Sequence, residues 1–308
     1  MTTELYRIHR PKKFPDMVGQ DRAVKTLEGL LKSGKIPHAL LFTGPSGCGK
    51  TTAARILAKK LGCGKLDLQE INAAESRGID TIREIQNRMG LSPIDGVCRI
   101  WIIDEAHKLT GDAQTALLKM LEDPPNHVWF ILATTDPQKL IKTIHTRSTE
   151  IRFSAIQETD LRGLVHSTLN HEGVTHYTDV SVNKLVATAD GSARKVLVLL
   201  QQTMGFPTEA EQLEAIEKAD SRKQTIDLCR AMIRGVGWKE IKGIIEQLDE
   251  EPENIRRGIL GYAASVVLNG GGSGVSRAME ILEVFRDHWY DCGRAGLIMS
   301  CYSIFNGK

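Results

Sequence analysis

Over the first 150 residues, short apolar runs alternate with segments whose apolar positions recur every three or four residues. The runs Ala39-Leu40-Leu41-Phe42, Leu68-Gln69-Glu70-Ile71-Asn72, Ile100-Trp101-Ile102-Ile103 and residues 128–133 predict strands. Most are continuously apolar rather than alternating, as expected of strands buried on both faces of a parallel sheet. Between them, Val24, Leu27, Leu30 and Leu31 predict a helix over 21–31, with Gly34 as its stop. Residues 52–61 read as a second helix. Ile79, Ile82 and Ile85 share a face within 73–90, and Leu117, Leu118 and Leu121 do so over 114–122, where Pro124-Pro125 ends the pattern. Pro11 and Pro15 predict an extended segment ahead of Gln20.

After Phe153 no strand is predicted. Residues 158–171, 180–189 and 193–204 are helical in pattern, and Gly205-Phe206-Pro207 reads as a linker. Farther on, Ile241, Ile244, Ile245 and Leu248 form one helical stripe. Ala278, Ile281, Leu282, Phe285 and Trp289 form another, and Gly270-Gly271-Gly272-Ser273-Gly274 between them reads as a loop. The order predicts an α/β core with a parallel sheet over 1–154, a small helical segment over 155–206 and an all-α domain over 207–308.

One loop in the core carries chemistry. Gly44-Pro45-Ser46-Gly47-Cys48-Gly49-Lys50-Thr51 follows the first apolar run and opens onto a helix through Thr52. Strand, glycine loop and helix in that order is the setting of the phosphate-binding pattern G-x-x-x-x-G-K-[ST]. Gly44, Gly47 and Gly49 let successive N–H groups face phosphate oxygens, and the helix N-terminus adds partial positive charge. Lys50 is expected on the β- and γ-phosphates of ATP and the Thr51 hydroxyl on Mg²⁺.

The strand ending at Asp104 supplies the second half. Ligands of parallel sheets gather at the carboxyl ends of strands, which places Asp104 as the carboxylate on the Mg²⁺ side. Glu105 can then orient a water for attack on the γ-phosphate. A kinase needs no such water, so the pair favours hydrolysis. The run 128–133 ends at Thr134-Thr135-Asp136, where a polar side chain could reach the γ-phosphate or its water.

Composition narrows the setting. Apolar content of 41% and charged content of 25% are ordinary for a globular protein. No run approaches the roughly 18 apolar residues of a membrane helix, and Met1-Thr2-Thr3-Glu4 opens no signal segment, so a cytoplasmic protein without a membrane partner is expected. Net charge is only +2, so any nucleic-acid surface must be a local patch. The six cysteines form no C-x-x-C pair and predict reduced thiols, with no zinc module.

Several stretches resemble a known family. Arg10-Pro11-Lys12-Lys13-Phe14 running to Val18-Gly19-Gln20 resembles the opening of AAA+ clamp-loader subunits. Leu117-Leu118-Lys119-Met120-Leu121-Glu122-Asp123-Pro124-Pro125 and Leu132-Ala133-Thr134-Thr135-Asp136-Pro137-Gln138-Lys139-Leu140 resemble the bacterial tau/gamma subunits. The stretch from Asn72 to Arg83 is similar to replication factor C small subunits. The resemblance covers about the first 205 residues.

It implies an AAA+ core, a helical lid and a C-terminal oligomerisation collar. It places Thr135 at sensor 1, Arg194 at sensor 2 on the lid, and Arg147 as the finger completing a neighbouring subunit's site, although the flanking Thr146 and Ser148 depart from the family's Ser-Arg-Cys. Gln114 matches a glutamine coupling the DNA-contacting helix to Glu105, and Tyr6, Arg7, His9 and Val18 would lie near the adenine. The four-cysteine module of the bacterial subunit is absent, with only Cys63 in that region.

The function implied is an ATP-hydrolysing subunit of a sliding-clamp loader from a phage-like or compact replication system. It would act with the clamp, primer–template DNA and other loader subunits in a multi-copy, by resemblance pentameric, ring or spiral. The setting would be a bacterial cytoplasm, or the host's. A DNA path is expected on a helix beginning near Ser76, where Arg77 and Arg83 offer charge to phosphates, or else pair with Glu75, Asp80 or Glu84. The apolar stretch Met89 to Ile94 could dock the clamp or pack in the core. The alternatives are another AAA+ nucleic-acid motor, such as a branch-migration or helicase-loader ATPase, and a non-hydrolysing stator. Asp104-Glu105-Ala106-His107 also suggests a helicase of the DEAH type, but the chain lacks room for two such motor domains.

Overall fold

The computed structural model describes residues 4–248, 252–269, 273–287, 289 and 292–306. They form two compact units, Met1–Glu209 and Ala210–Lys308. The first contains strands β1 (Ala39–Thr43), β2 (Cys63–Asn72), β3 (Cys98–Asp104), β4 (Val128–Thr134) and β5 (Thr149–Arg152). Its helices are α1 (Leu5–Ile8), α2 (Asp21–Ser33), α3 (Lys50–Lys60), α4 (Ile79–Met89), α5 (Gly111–Glu122), α6 (Lys142–Arg147), α7 (Glu158–Glu172), α8 (Asp179–Ala189) and α9 (Ala193–Thr203).

The strands pair in parallel in the order β2-β3-β4-β1-β5. Successive side chains of the central strands serve opposite faces. Leu40, Phe42, Ile100, Ile102 and Ile131 pack with Leu27 of α2 and Ala53, Ile56 and Leu57 of α3. Leu41, Trp101, Ile103, Phe130 and Leu132 pack with Ile82 and Ile85 of α4, Leu117 and Met120 of α5 and Ile144 of α6. Burial on both faces is why these strands read as continuous apolar runs.

Several expectations change. The segment before Gln20 is not wholly extended: Leu5–Ile8 is one helical turn, anchored by buried Leu5, whose N–H donates to Gln201 Oε1 at 2.9 Å. β2 begins five residues before Leu68, through an irregular register along an exposed edge where hydrophobicity carries no signal. β5 was not predicted, because as the other edge strand it buries only Ile151. α4 starts at Ile79, not near Ser76; residues 73–75 form a turn closed by the Glu75 and Ser76 N–H groups on Asn72 O. Residues 155–206 lie in the same compact unit as the sheet. Gln20, at the end of the amino-terminal arm (residues 4–20), meets the chain just before them, its amide donating to Ser154 O and accepting from Ser154 N–H.

The second unit contains α10 (Glu209–Arg234), α11 (Trp238–Gln247), α12 (Pro252–Asn269), α13 (Ser273–Val284) and α14 (Gly293–Asn306). Ile241, Ile245, Leu248, Ala278, Ile281, Phe285 and Trp289 all join its core with Leu228, Ile259 and Leu297. The second stripe is not one helix, since α13 ends at Val284 before Phe285 and Trp289. Of the expected glycine loop, 270–272 lie outside the described residues, while Ser273 and Gly274 already belong to α13.

A buried ion pair holds the far side of the sheet. Asp67 on β2 is fully buried and accepts from the N–H groups of Ile94, Asp95 and Gly96 at 2.9–3.0 Å. Arg99 Nη2 lies 3.2 Å from the same carboxylate and also donates to Ser92 O, while Nη1 donates to Arg88 O. Burial alone would raise the Asp67 pKa, but these donors outweigh it and hold the group at about 2. A folded pKa below the unfolded value of about 3.9 contributes stability above that pH, lost as pH falls from about 4 to about 2. Asp67→Ala is expected to cost about 3–5 kcal/mol, by stranding buried Arg99, and to remove this acid limb. Urea unfolding across that pH range measures both.

Candidate nucleotide site

β1 delivers the glycine loop at its carboxyl end. Gly44 has φ 143°, and a Cβ there would stand 2.2 Å from Phe153 O. Gly47, at φ 76°, is equally restricted: its Cβ would meet Ser192 Oγ at 2.1 Å. The loop therefore needs glycine both for its left-handed turns and for the close approach of β5's exit and α9's cap. Cys48 is buried within it and donates to Pro45 O; burial pushes its thiol pKa up, so it is a packing residue rather than a nucleophile.

Lys50, 6% exposed, opens α3 and donates to Gly44 O and Pro45 O, at 2.8 Å each. An ammonium held inside the loop fits a polyanion. Thr51 Oγ1 donates to Asp104 Oδ2 at 2.7 Å, bringing together the two oxygens expected to serve Mg²⁺. A hydroxyl and a carboxylate suit that hard cation, which usually keeps several waters.

β4 lies between β1 and β3, so its end stands between the loop and Asp104. Glu105 has φ 52° and ψ 40°, a left-handed conformation rare for a residue with a side chain. Its N–H donates to Asp104 Oδ1 at 3.0 Å, and Thr135 Oγ1 donates to its Oε2 at 3.4 Å. His107, 5% exposed in its side chain, places Nδ1 3.4 Å from the same Oε2 and 3.0 Å from Thr134 Oγ1. Burial lowers the His107 pKa, which keeps the ring neutral near pH 7. In the sequence, only the place of His107 two residues after Glu105, on a tight turn, signals this contact.

A cavity opens over the loop, lined by Tyr6, His9 and Val18 from the arm, residues 46–52, Asp104, Glu105 and Arg194. Arg194 Cζ lies 5.5 Å from the centroid of the Tyr6 ring. Arg10, Pro11, Met17, Ile156, Leu164 and Leu197 also line the cavity and were not predicted; they are contributed by separate elements that only folding brings together. Arg7 does not line the cavity: its side chain is 65% exposed, beside Glu4, and its Nε donates to the Tyr6 hydroxyl at 3.2 Å.

Arg147, Gln114, Arg83 and Arg77 are among the predicted residues that do not line the cavity. Arg147 ends α6, with Nη2 3.3 Å from both Glu122 carboxylate oxygens and Nε buried without a hydrogen-bond partner. Gln114 is buried, donating to Leu109 O and Lys139 O and accepting from Ile141 N–H. Arg83 pairs with Asp80 at 3.1 Å on the exposed face of α4, and Arg77 is exposed ahead of that helix.

The model of the DNA polymerase III delta-subunit family matches residues 19–77 and 65–157. The gamma subunit of Buchnera aphidicola is 33% identical over 284 residues, covering 79% of this chain and 78% of that protein. The tau subunit of Bacillus subtilis is 32% identical over 92% of this chain and 55% of its own length. The gamma/tau subunit of Mycobacterium tuberculosis is 38% identical over 65% of this chain but only 38% of its own length. The chain thus spans well under two thirds of several curated relatives. The Thermotoga maritima RuvB Holliday junction branch migration motor is similar in structure, with TM-score 0.58 and 19% identity over 87% of this chain and 91% of that one.

Proposed function

The chain belongs to the DNA polymerase III gamma/tau family of bacterial clamp-loader AAA+ subunits, and on that premise we propose that it hydrolyses ATP to drive a sliding clamp onto primer–template DNA. The observation that carries hydrolysis is the convergence of Lys50, Thr51, Asp104, Glu105 and Thr135 at the ends of three neighbouring strands. Lys50 and the loop N–H groups hold the phosphates, while Thr51 and Asp104 hold Mg²⁺, which supplies charge neutralisation on the phosphates. Glu105 orients the attacking water and draws on its proton; Thr135 fixes the carboxylate. Tyr6, His9 and Val18 cover the base, and Arg194 on α9 reaches the phosphate side.

Residues 155–206 serve as the lid and 207–308 as the collar through which several copies assemble. Support for the latter is that the apolar side chains of Leu268, Met279, Met299 and Tyr302 are exposed. The similarity to RuvB is one of fold at low identity and lends no weight to branch migration, whereas the relatives at 32–38% identity are polymerase subunits. A complete set of hydrolytic groups argues against a stator.

The test is ATPase rate with clamp, primed DNA, both or neither: a loader requires both for full rate, a motor responds to DNA alone and a stator to nothing. For the DNA path, α4 offers backbone N–H groups at its first turn and Arg77 and Arg83 beside it. Arg83→Ala is expected to weaken primed-DNA binding equally on all sequences and to flatten log K against log salt, by about 0.9 for each phosphate left without its cation. Unchanged slopes in both Arg77→Ala and Arg83→Ala would put the DNA elsewhere.

A further inference from the structure

His9 caps α1, and His171 and Glu172 occupy the last turn of α7; together they make a donor cluster unconnected with any cysteine. His9 Nε2 lies 2.9 Å and His171 Nδ1 3.3 Å from the same carboxylate oxygen, Glu172 Oε1. The two rings meet edge to face at 4.9 Å, and all three donor atoms fall within 4.8 Å of one another. We propose that these three side chains bind a zinc ion, and that the ion fastens the amino-terminal arm to α7.

The donor chemistry selects the metal. Two imidazole nitrogens and one carboxylate oxygen suit Zn²⁺ and leave a fourth position for water, whereas Mg²⁺ and Ca²⁺ prefer oxygen throughout. With Zn–N and Zn–O bonds of about 2.0–2.2 Å, donors around a tetrahedral ion stand roughly 3.3–3.5 Å apart. The two nitrogen–oxygen pairs, at 2.9 and 3.3 Å, need only a few tenths of an ångström of opening on the first, and the two ring nitrogens already stand within 4.8 Å of each other.

The surroundings admit an ion. His9 is 14% exposed and Glu172 25%, which fixes their positions, while His171 at 68% leaves one side open to water. Without metal, both rings must direct N–H at one oxygen. A bound ion instead uses their lone pairs, and the neutral imidazole reaches that form by moving its proton to the other ring nitrogen.

The site sits where it can be felt. His9 lines the nucleotide cavity one turn from Tyr6, whereas His171 and Glu172 lie outside its lining. Zinc would therefore hold the arm closed over the base without contacting the phosphates. Nothing in the local sequence announces this, because His9 and Glu172 are 163 positions apart.

The experiment uses the full-length chain, free of any affinity tag, titrated with zinc chloride by calorimetry in a non-chelating buffer. One ion per chain is expected, with binding weakened at least about tenfold in His171→Ala and in Glu172→Gln. Thermal unfolding should move upward with zinc in the native chain and not in the variants. Co²⁺ in place of zinc should give the intense visible bands of a four-coordinate ion, missing from both variants. Circular dichroism checks that the variants fold. Uptake that is absent, or equal in native chain and variants, overturns the proposal, as does a weak six-coordinate Co²⁺ spectrum. None of these readings depends on ATP hydrolysis or on clamp loading.

Discussion

Glu105→Gln is expected to bind ATP with near-native affinity and to hydrolyse it about 10²–10⁴-fold more slowly, the usual contribution of a positioned general base. The carboxylate is held in a left-handed turn, within reach of Thr135 and His107, while its neighbour Asp104 is engaged by Thr51. An amide of the same shape keeps that packing but cannot draw on a proton. Lys50→Ala should fail in the opposite way, losing nucleotide affinity itself, because the ammonium inside the loop is the one removed. Equilibrium binding of a fluorescent ATP analogue and single-turnover hydrolysis separate the two outcomes. Hydrolysis by Glu105→Gln near the native rate would remove Glu105 from the mechanism.

Arg147→Ala should be nearly inactive, by about 10³–10⁵-fold, yet bind nucleotide normally in its own cavity. Arg147 does not line that cavity; it ends α6 and rests on Glu122. The contacts at 3.3 Å are long for a charge-assisted pair, which ordinarily closes to about 2.7–2.9 Å, and Nε has no hydrogen-bond partner. Nη1 adds only a 3.4 Å contact to Thr143 O, so a guanidinium held by such long bonds is released at little cost to a phosphate on a neighbouring subunit. Mixing Arg147→Ala with Lys50→Ala chains should then recover activity, because hybrid interfaces pair an intact site with an intact finger. Absence of rescue, once subunit exchange is verified by mass, would refute a shared site.

Much of the site was legible because its chemistry is local. Gly44 to Thr51 lie on one loop, and left-handed glycines beside a lysine leave few other uses for such a stretch. Asp104 ends, and Glu105 follows, a strand whose apolar run Ile100 to Ile103 places them at a sheet end. Arg7 shows the limit of this reading: it adjoins Tyr6 in sequence, but burial of Leu5 turns it to solvent while Tyr6 faces the cavity. Likewise β5 and the start of β2 run along the sheet's edges, where half-exposed residues leave no periodic trace.

The sequence by itself determined the parallel α/β core, the helical remainder and the candidate residues for phosphate and magnesium, since each follows from backbone periodicity or from groups a few positions apart. Only the tertiary structure decided the strand order that sets Thr135 beside Glu105, the seat of Arg147 on Glu122, the Asp67–Arg99 pair and the meeting of His9 with Glu172. Contacts of that kind depend on how distant elements pack, and neither hydrophobic pattern nor motif spacing specifies which surfaces will meet.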